Sequence, residues 1–118
     1  MEVQCLKVKL KEGTTDYVTN WVKELNNKMD LVYDALISET MVVESMFLER
    51  GENADYLIFY TRAESLQKAN EMMLKSDNPV DKEALEMMQK AWESCQPLEI
   101  LFDADRIEKV NNDINTLK

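Results

Sequence analysis

The sequence predicts an α+β fold in which helices cover one face of a four-stranded antiparallel sheet. Four segments alternate apolar and polar side chains with the period of two that is typical of strands. The segments between them repeat apolar residues at the three- and four-residue spacing of helices. At 118 residues the chain fits a single domain that can bury its own core.

The chain opens on a strand that is followed by a long helical segment. Residues 3–10, VQCLKVKL, alternate, and Gly13 ends the alternation. Residues 15–39 then carry one apolar stripe at helical spacing, and the pair Asn26-Asn27 marks the expected break. The members of the stripe are Val18, Val22, Leu25, Met29, Val32 and Leu36.

A β-hairpin is predicted for residues 41–62, where two apolar runs flank the polar turn RGENAD. Its register decides which face each side chain occupies, because successive residues of a strand point to opposite faces. If Leu48 lies opposite Tyr56, Glu44 faces Tyr60 and the other face is free of charge, so we favour this register. A shift by one residue groups Glu44 with three residues of the second strand: Leu57, Phe59 and Thr61.

The second half of the chain adds helices and a strand. Residues 63–74 have helical spacing, and a new helix is expected to begin at Pro79, since proline suits the first helical position. Pro97 is expected to end that helix. The alternation over residues 98–103 then predicts the fourth strand.

The resulting order of elements, βαββαβ, is that of the ferredoxin-like fold with strands in the spatial order 4-1-3-2. We assign residues 1–103 to this domain and residues 104–118 to a C-terminal amphipathic helix. Right-handed crossovers place the helices on one side of the sheet. The face that they cover is expected to hold Leu6, Val8, Leu10, Val43, Phe47, Leu57, Phe59, Leu98, Ile100 and Phe102.

The opposite face of the sheet is predicted to stay uncovered although it carries several apolar side chains. Such a patch is typical of an interface or a ligand site. A second copy packed against it with twofold symmetry gives a dimeric α/β barrel, with Glu44 in a semi-polar space between the subunits. The residues assigned to this face are Cys5, Lys7, Lys9, Glu44, Met46, Leu48, Tyr56, Ile58, Tyr60, Arg62, Glu99 and Leu101.

Several segments within residues 3–103 resemble a family of small uncharacterised bacterial proteins with a domain of unknown function. The segments are VKLKEGTTDYVTNWVKELN, VVESMFLER, DYLIFYTRAESLQKA and SDNPVD. That family is similar in plan to the dimeric α/β-barrel, ferredoxin-like superfamily, so the resemblance implies this fold and a homodimer. The superfamily includes cofactor-independent oxygenases, isomerases, haem-handling proteins and ligand sensors, and many of its enzymes use a histidine that this chain lacks.

Composition argues against several classes of function. A net charge of −9 repels phosphate backbones and anionic headgroups, so we expect neither a nucleic-acid nor a membrane partner. No signal peptide is recognisable, and we expect a cytoplasmic protein. The absence of histidine removes Ser-His-Asp and Cys-His catalysis, and two cysteines, Cys5 and Cys95, make no zinc site. We therefore predict no metal and no cofactor.

Three functions are compatible with these features. The first is a homodimer that binds a small ligand between its open sheet faces. The second is a cofactor-independent enzyme, monooxygenase- or isomerase-like, with Glu44 as general base, Tyr60 as hydrogen-bond donor and Arg62 stabilising an anion. The third is a structural or interaction module that docks through its amphipathic tail. The further ligand-binding residues of the first hypothesis are Lys7, Lys9, Tyr56 and Glu99.

Overall fold

The computed structural model describes residues 1–107, which form one antiparallel sheet with helices on one side. The strand order is β2-β3-β1-β4, as predicted, and the arrangement is the ferredoxin-like βαββαβ fold. The elements are β1 (Glu2–Leu10), α1 (Thr15–Glu24), α2 (Met29–Ser38), β2 (Met41–Arg50), β3 (Asp55–Ala63), α3 (Leu66–Lys75), α4 (Pro79–Ala91) and β4 (Trp92–Pro97).

The long helical segment is interrupted where the sequence predicts. A 3₁₀ turn over Leu25–Asn27 separates α1 from α2. The side-chain amide of Asn26 donates to the carbonyl oxygen of Lys23 at 3.0 Å, which is the kind of local bond that competes with helical geometry. After the turn, α2 packs against α4. The start of α4 is also as predicted, because the Asn78 side chain accepts from the backbone N–H of Val80.

The register of the β2–β3 hairpin differs from the favoured one by one residue. Glu44 pairs with Thr61 and Leu48 pairs with Leu57, so the predicted opposition of Leu48 to Tyr56 was wrong. Glu44 therefore shares a face with Leu57 and not with Tyr60. The observed register is the alternative in which Glu44 shares a face with Leu57, Phe59 and Thr61.

The turn of the hairpin explains this register. Arg50 pairs with Asp55, which leaves a four-residue loop. Within the loop the backbone N–H of Gly51 donates to the carbonyl oxygen of Ala54 at 3.0 Å. A Cβ atom at Gly51 would lie 2.5 Å from that oxygen, so the closed loop requires glycine there.

The sheet consequently has two faces of different composition, which we call the covered face and the open face. The core lies between the covered face and the helices, around Val8, Leu57, Val18 and Met87. Of the residues predicted for the covered face, those of β1 and β3 occupy it, whereas Val43 and Phe47 lie on the open face. The open face holds Cys5, Lys7, Val43, Phe47, Tyr56, Ile58, Tyr60 and Arg62.

The fourth strand begins earlier than predicted. The helix α4 ends at Ala91, whose carbonyl oxygen accepts from Lys11 N at 2.7 Å, and β4 starts with the next residue. Pro97 ends this strand rather than the helix, and proline is tolerated because β4 lies at the edge of the sheet. Residues 98–103 are not a strand, and their apolar side chains are exposed: Leu98, Ile100, Leu101 and Phe102.

Residues 98–107, which we call the C-terminal arm, are fixed to the sheet at two points. The N–H of Leu98 donates to Cys5 O at 2.8 Å. Farther along, Asp103 and Asp105 form ion pairs with Arg62 at 2.6 and 2.9 Å. The tail helix predicted over 104–118 lies mostly outside the described residues. None of the helices within residues 1–107 reaches the length and hydrophobicity that a membrane span needs.

Candidate functional site

A partly open cavity of about 440 Å³ lies between the covered face and the helices. Small-molecule sites have volumes of roughly 300–1,000 Å³ and mostly apolar walls. Most of the side chains that line this cavity are also apolar, including Phe59, Met73 and Met87. Three acidic residues interrupt this lining: Glu39, Glu44 and Asp81.

Glu44 reaches the cavity because the hairpin register places it on the covered face opposite Thr61. Burial is the main reason that its pKa rises from the ordinary value of 4.5 to about 7, and the negative charge of Asp81 adds to the rise. A carboxyl group with this pKa exchanges its proton near neutral pH.

Glu39 lies at the end of α2 and is almost completely buried. Its pKa is raised from 4.5 to about 8, mainly by burial, with smaller contributions from the charge of Asp81, a hydrogen bond with Asp81 and the charge of Glu44. The next residue, Thr40, has a φ of 55°, a left-handed conformation that is rare for a β-branched residue. The Thr40 hydroxyl donates to Glu39 O at 2.6 Å, which supports this turn into β2.

Asp81 lies in the first turn of α4, where the helix dipole favours a negative charge. The raised pKa of Glu39 keeps that carboxyl group protonated at neutral pH, next to Asp81. Asp81 is 5% exposed, and its Oδ2 atom accepts no hydrogen bond from any N–H or hydroxyl group of the described residues. The indole nitrogen of Trp92, another cavity residue, is likewise buried and donates to no atom within residues 1–107.

The structure does not bring together the three residues predicted as catalytic. Glu44 lines the cavity, whereas Tyr60 and Arg62 lie on the open face, on the other side of the sheet. Arg62 donates to the Tyr60 hydroxyl at 2.8 Å and is bound by two carboxylates of the C-terminal arm. The hydrogen bonds to Asp103 and to Tyr60 raise the pKa of Arg62 further above its usual range.

The residues predicted to bind a ligand on the open face contact other side chains. Lys7 lies 4.4 Å from the ring centre of Tyr56, and Lys9 forms an ion pair with Glu93 at 3.0 Å. Glu99 is exposed and belongs to the C-terminal arm. Because this part of the arm is not a strand, Glu99 does not lie in the sheet with Lys7, Lys9 and Tyr56. No cluster of three acidic or cysteine side chains in the described part of the chain has the geometry of a metal site.

Sequence reasoning missed Glu39 and Asp81. Both lie at helix ends, where a charge is usually solvated, and Asp81 has the position of an ordinary dipole partner. The sequence contained one signal of a carboxylate in the core. In the alternative hairpin register, Glu44 lies among apolar residues.

A model of a protein family matches residues 1–109. The chain belongs to DUF6176, a family of unknown function. This agrees with the resemblance found in the sequence. None of the curated proteins compared with this DUF6176 member matches it.

Solved structures with a similar fold include the L-rhamnose mutarotase of Formosa agariphila, with 16% identity, a TM-score of 0.57 and coverage of 89% of this chain and 100% of that one. A NIPSNAP domain protein of Burkholderia xenovorans has 9% identity, a TM-score of 0.53 and coverage of 89% and 100%. A de novo designed protein with a ferredoxin fold has 11% identity, a TM-score of 0.53 and coverage of 91% and 94%. These similarities confirm the fold.

The raised pKa values predict that the folded state loses stability as the pH rises from 4.5 to about 8. In this window the unfolded chain has released protons that Glu39 and Glu44 retain in the folded state, so the free energy of unfolding falls with pH. The slope is at most about 1.4 kcal/mol per pH unit for each proton. Urea denaturation at a series of pH values measures it.

In this experiment Glu44→Gln should lower the slope between pH 4.5 and about pH 7 and leave the contribution of Glu39. Glu49→Gln is the matched control on the same strand, because Glu49 is exposed and its contact with Lys7 is a surface ion pair. A wild-type profile without slope in this range contradicts the assignment of buried, protonated carboxyl groups.

Proposed function

We propose that this protein binds a small molecule in the cavity beneath its sheet. The observation that carries the proposal is the presence of two buried carboxyl groups, Glu39 and Asp81, and a half-buried third, Glu44, in a largely apolar cavity of about 440 Å³. Burying such groups without full hydrogen bonding costs stability, and well-packed apolar residues in their place are often at least as stable. A ligand with a complementary polar group offsets this cost. The proposed site thus lies on the covered side of the sheet, not between two open faces as expected from the sequence.

Filling the cavity tests this proposal. Ala84 of α4 is buried and lines the cavity, so Ala84→Leu should occupy part of the ligand volume. Thermal denaturation with a panel of metabolites should identify a compound that stabilises the wild type and fails to stabilise Ala84→Leu. At a hundredfold excess over Kd the gain is about 2.7 kcal/mol, or roughly 10 °C in Tm.

Gln89→Leu is the control for this experiment, since it adds a similar side chain to an exposed position of the same helix. It should respond to the compound as the wild type does. If Ala84→Leu is more stable than the wild type and no compound of any class stabilises either protein, the cavity is a packing void and the proposal fails.

A second candidate function, proton transfer, is supported by the pKa values in the cavity. Glu44 with a pKa of about 7 and Glu39 with a pKa of about 8 offer a base and an acid near neutral pH. An isomerase-like reaction that moves a proton next to a carbonyl group suits this pair. Of the three catalytic residues predicted from the sequence, Glu44 alone lies in the cavity, so Tyr60 and Arg62 take no part in this version of the mechanism.

This candidate predicts exchange of carbon-bound protons in a carbonyl substrate. Exchange into heavy water, followed by NMR over small ketones and aldoses, should fall by about 100-fold or more in Glu44→Gln. Glu49→Gln should keep the wild-type rate. An unchanged rate in Glu44→Gln rules out Glu44 as the base.

Self-association through the open face belongs to the same proposal. Phe47 on this face is 60% exposed, and the C-terminal arm presents Leu101 and Phe102 at 87% and 86% exposure. Asp103 and Asp105 tie the arm to Arg62 of the open face, so the exposed apolar side chains of the arm lie near that face. A second copy that packs on this surface removes it from water.

Light scattering on a size-exclusion column tests the homodimer. The wild type should have twice the chain mass of 13.8 kDa, and Phe47→Glu should have the mass of one chain because a charge in the interface disfavours association. Tyr33→Glu, which adds the same charge to an exposed position of α2, should stay dimeric. A wild type of single-chain mass at all concentrations contradicts a dimer.

A further inference from the structure

We infer that the cavity binds an uncharged ligand that has two hydroxyl groups along one edge and an apolar body. The inference rests on the proposed ligand-binding function and specifies the class of ligand. A row of three polar side chains across the covered face carries it. The row consists of Gln4 of β1, Thr61 of β3 and Glu44 of β2.

The pairing of the strands places these three side chains next to one another. Gln4 lies opposite Thr61, and Thr61 lies opposite Glu44. Directly opposed residues of antiparallel strands project from the same face with their Cβ atoms about 5 Å apart, so the row is about 10 Å long. All three residues line the cavity. One side of the cavity therefore has a continuous polar strip.

The side chains of this row make no hydrogen bond to another residue within residues 1–107. A polar atom without a partner is either sealed inside the protein or accessible to a small molecule. In this part of the chain the sealed ones are Asp81 Oδ2 and Trp92 Nε1, so the polar atoms of the row are accessible. Thr61 is only 4% exposed and lines the cavity, so its hydroxyl opens into the cavity and not onto the outer surface.

The charges around the row favour an uncharged ligand. No Lys or Arg among the described residues lines the cavity, so neither an ionised Glu44 nor a ligand anion finds a cationic partner there. Burial raises the pKa of Glu44 to about 7, and below this pH its carboxyl group is mostly neutral, as Gln4 and Thr61 always are. A neutral row offers an ammonium group no negative charge, and Asp81 Oδ2 is sealed.

Hydroxyl groups complement this row because each of its members both donates and accepts hydrogen bonds. The amide of Gln4, the hydroxyl of Thr61 and the protonated carboxyl group of Glu44 all have this double capacity. A ligand hydroxyl shares it, whereas a ketone or ether oxygen only accepts. Two hydroxyl groups on one edge of a ligand can therefore satisfy neighbouring members of the row.

The next row of the covered face is apolar and suits the body of the ligand. It consists of Leu6, Phe59 and Met46, which pair across the same three strands and also line the cavity. Met73 of α3 and Met87 of α4 line the cavity from the helix side. Methionine side chains adapt their shape and pack well against aromatic rings. A ring with two hydroxyl-bearing substituents on one edge satisfies both rows together.

Calorimetric titration of the full chain with four matched probes tests the inference. The first probe is a benzene ring with two hydroxymethyl groups in meta positions. In the other three, one hydroxymethyl group is replaced by methyl, by aminomethyl or by carboxylate. About one pH unit below the pKa of Glu44, the diol should bind, and the methyl and aminomethyl probes should bind about tenfold more weakly. The carboxylate should not bind.

Two substitutions of Thr61 then locate the polar contact. Thr61→Val keeps the shape of the side chain and removes the hydroxyl, so it should weaken the diol by about fivefold. Thr61→Ser keeps the hydroxyl and should bind the diol within about twofold of the wild type. Equal losses in the two variants contradict the hydrogen bond.

The melting temperature of Thr61→Val without any ligand is an independent readout. It should equal or exceed that of the wild type, because the hydroxyl has no partner within the protein to lose. A clearly lower melting temperature shows that the hydroxyl is bonded inside the protein, and it overturns the inference.

The outcomes of the titration separate this inference from the proposed function. If the methyl probe or a charged probe binds as tightly as the diol, the ligand class is wrong while the cavity remains a ligand site. If none of the four binds but another compound stabilises the wild type and not Ala84→Leu, the same conclusion holds. If no compound of any class stabilises the wild type, the proposed function fails and the inference with it.

Discussion

The register of one hairpin determines what lies inside this protein. A four-residue loop closed by a hydrogen bond from Gly51 to Ala54 sets the pairing of β2 with β3. Because side chains alternate between faces, a slip of one residue would exchange Glu44 for Val43 beneath the helices. The position of the Glu44 carboxylate in the cavity is therefore a consequence of loop geometry, and the chemistry of the cavity depends on a glycine in the hairpin loop.

The acidic groups are held by elements that have other structural roles. Glu39 ends a helix, Asp81 begins another, and Glu44 lies in the middle of a strand. None of these side chains closes a turn by a hydrogen bond within residues 1–107. Their joint burial raises two pKa values into the physiological range, where a few tenths of a pH unit change the charge of the cavity.

Much of the fold was predictable because it depends on local signals. The break at Asn26-Asn27, the helix start at Pro79 and the strand order follow from side-chain capping, proline geometry and crossover handedness. The hairpin register was not predictable from apolar pattern alone, since a pattern rule assigns a lone carboxylate to the exposed side. The fourth strand was predicted in the wrong segment for a related reason. Residues 98–103, LEILFD, alternate apolar and polar side chains, whereas residues 92–97, WESCQP, do not. Pairing with β1 nevertheless makes residues 92–97 the strand. The site was predictable only as far as Glu44.

The strand order also has a consequence for synthesis on the ribosome. The first strand of the chain lies inside the sheet, between β3 and the last strand. One side of β1 therefore has no backbone partner until β4 has been made. During that interval the nascent chain exposes an unpaired, partly apolar edge, which is a template for aggregation with neighbouring chains. The sheet can therefore be completed only after β4 has been synthesised.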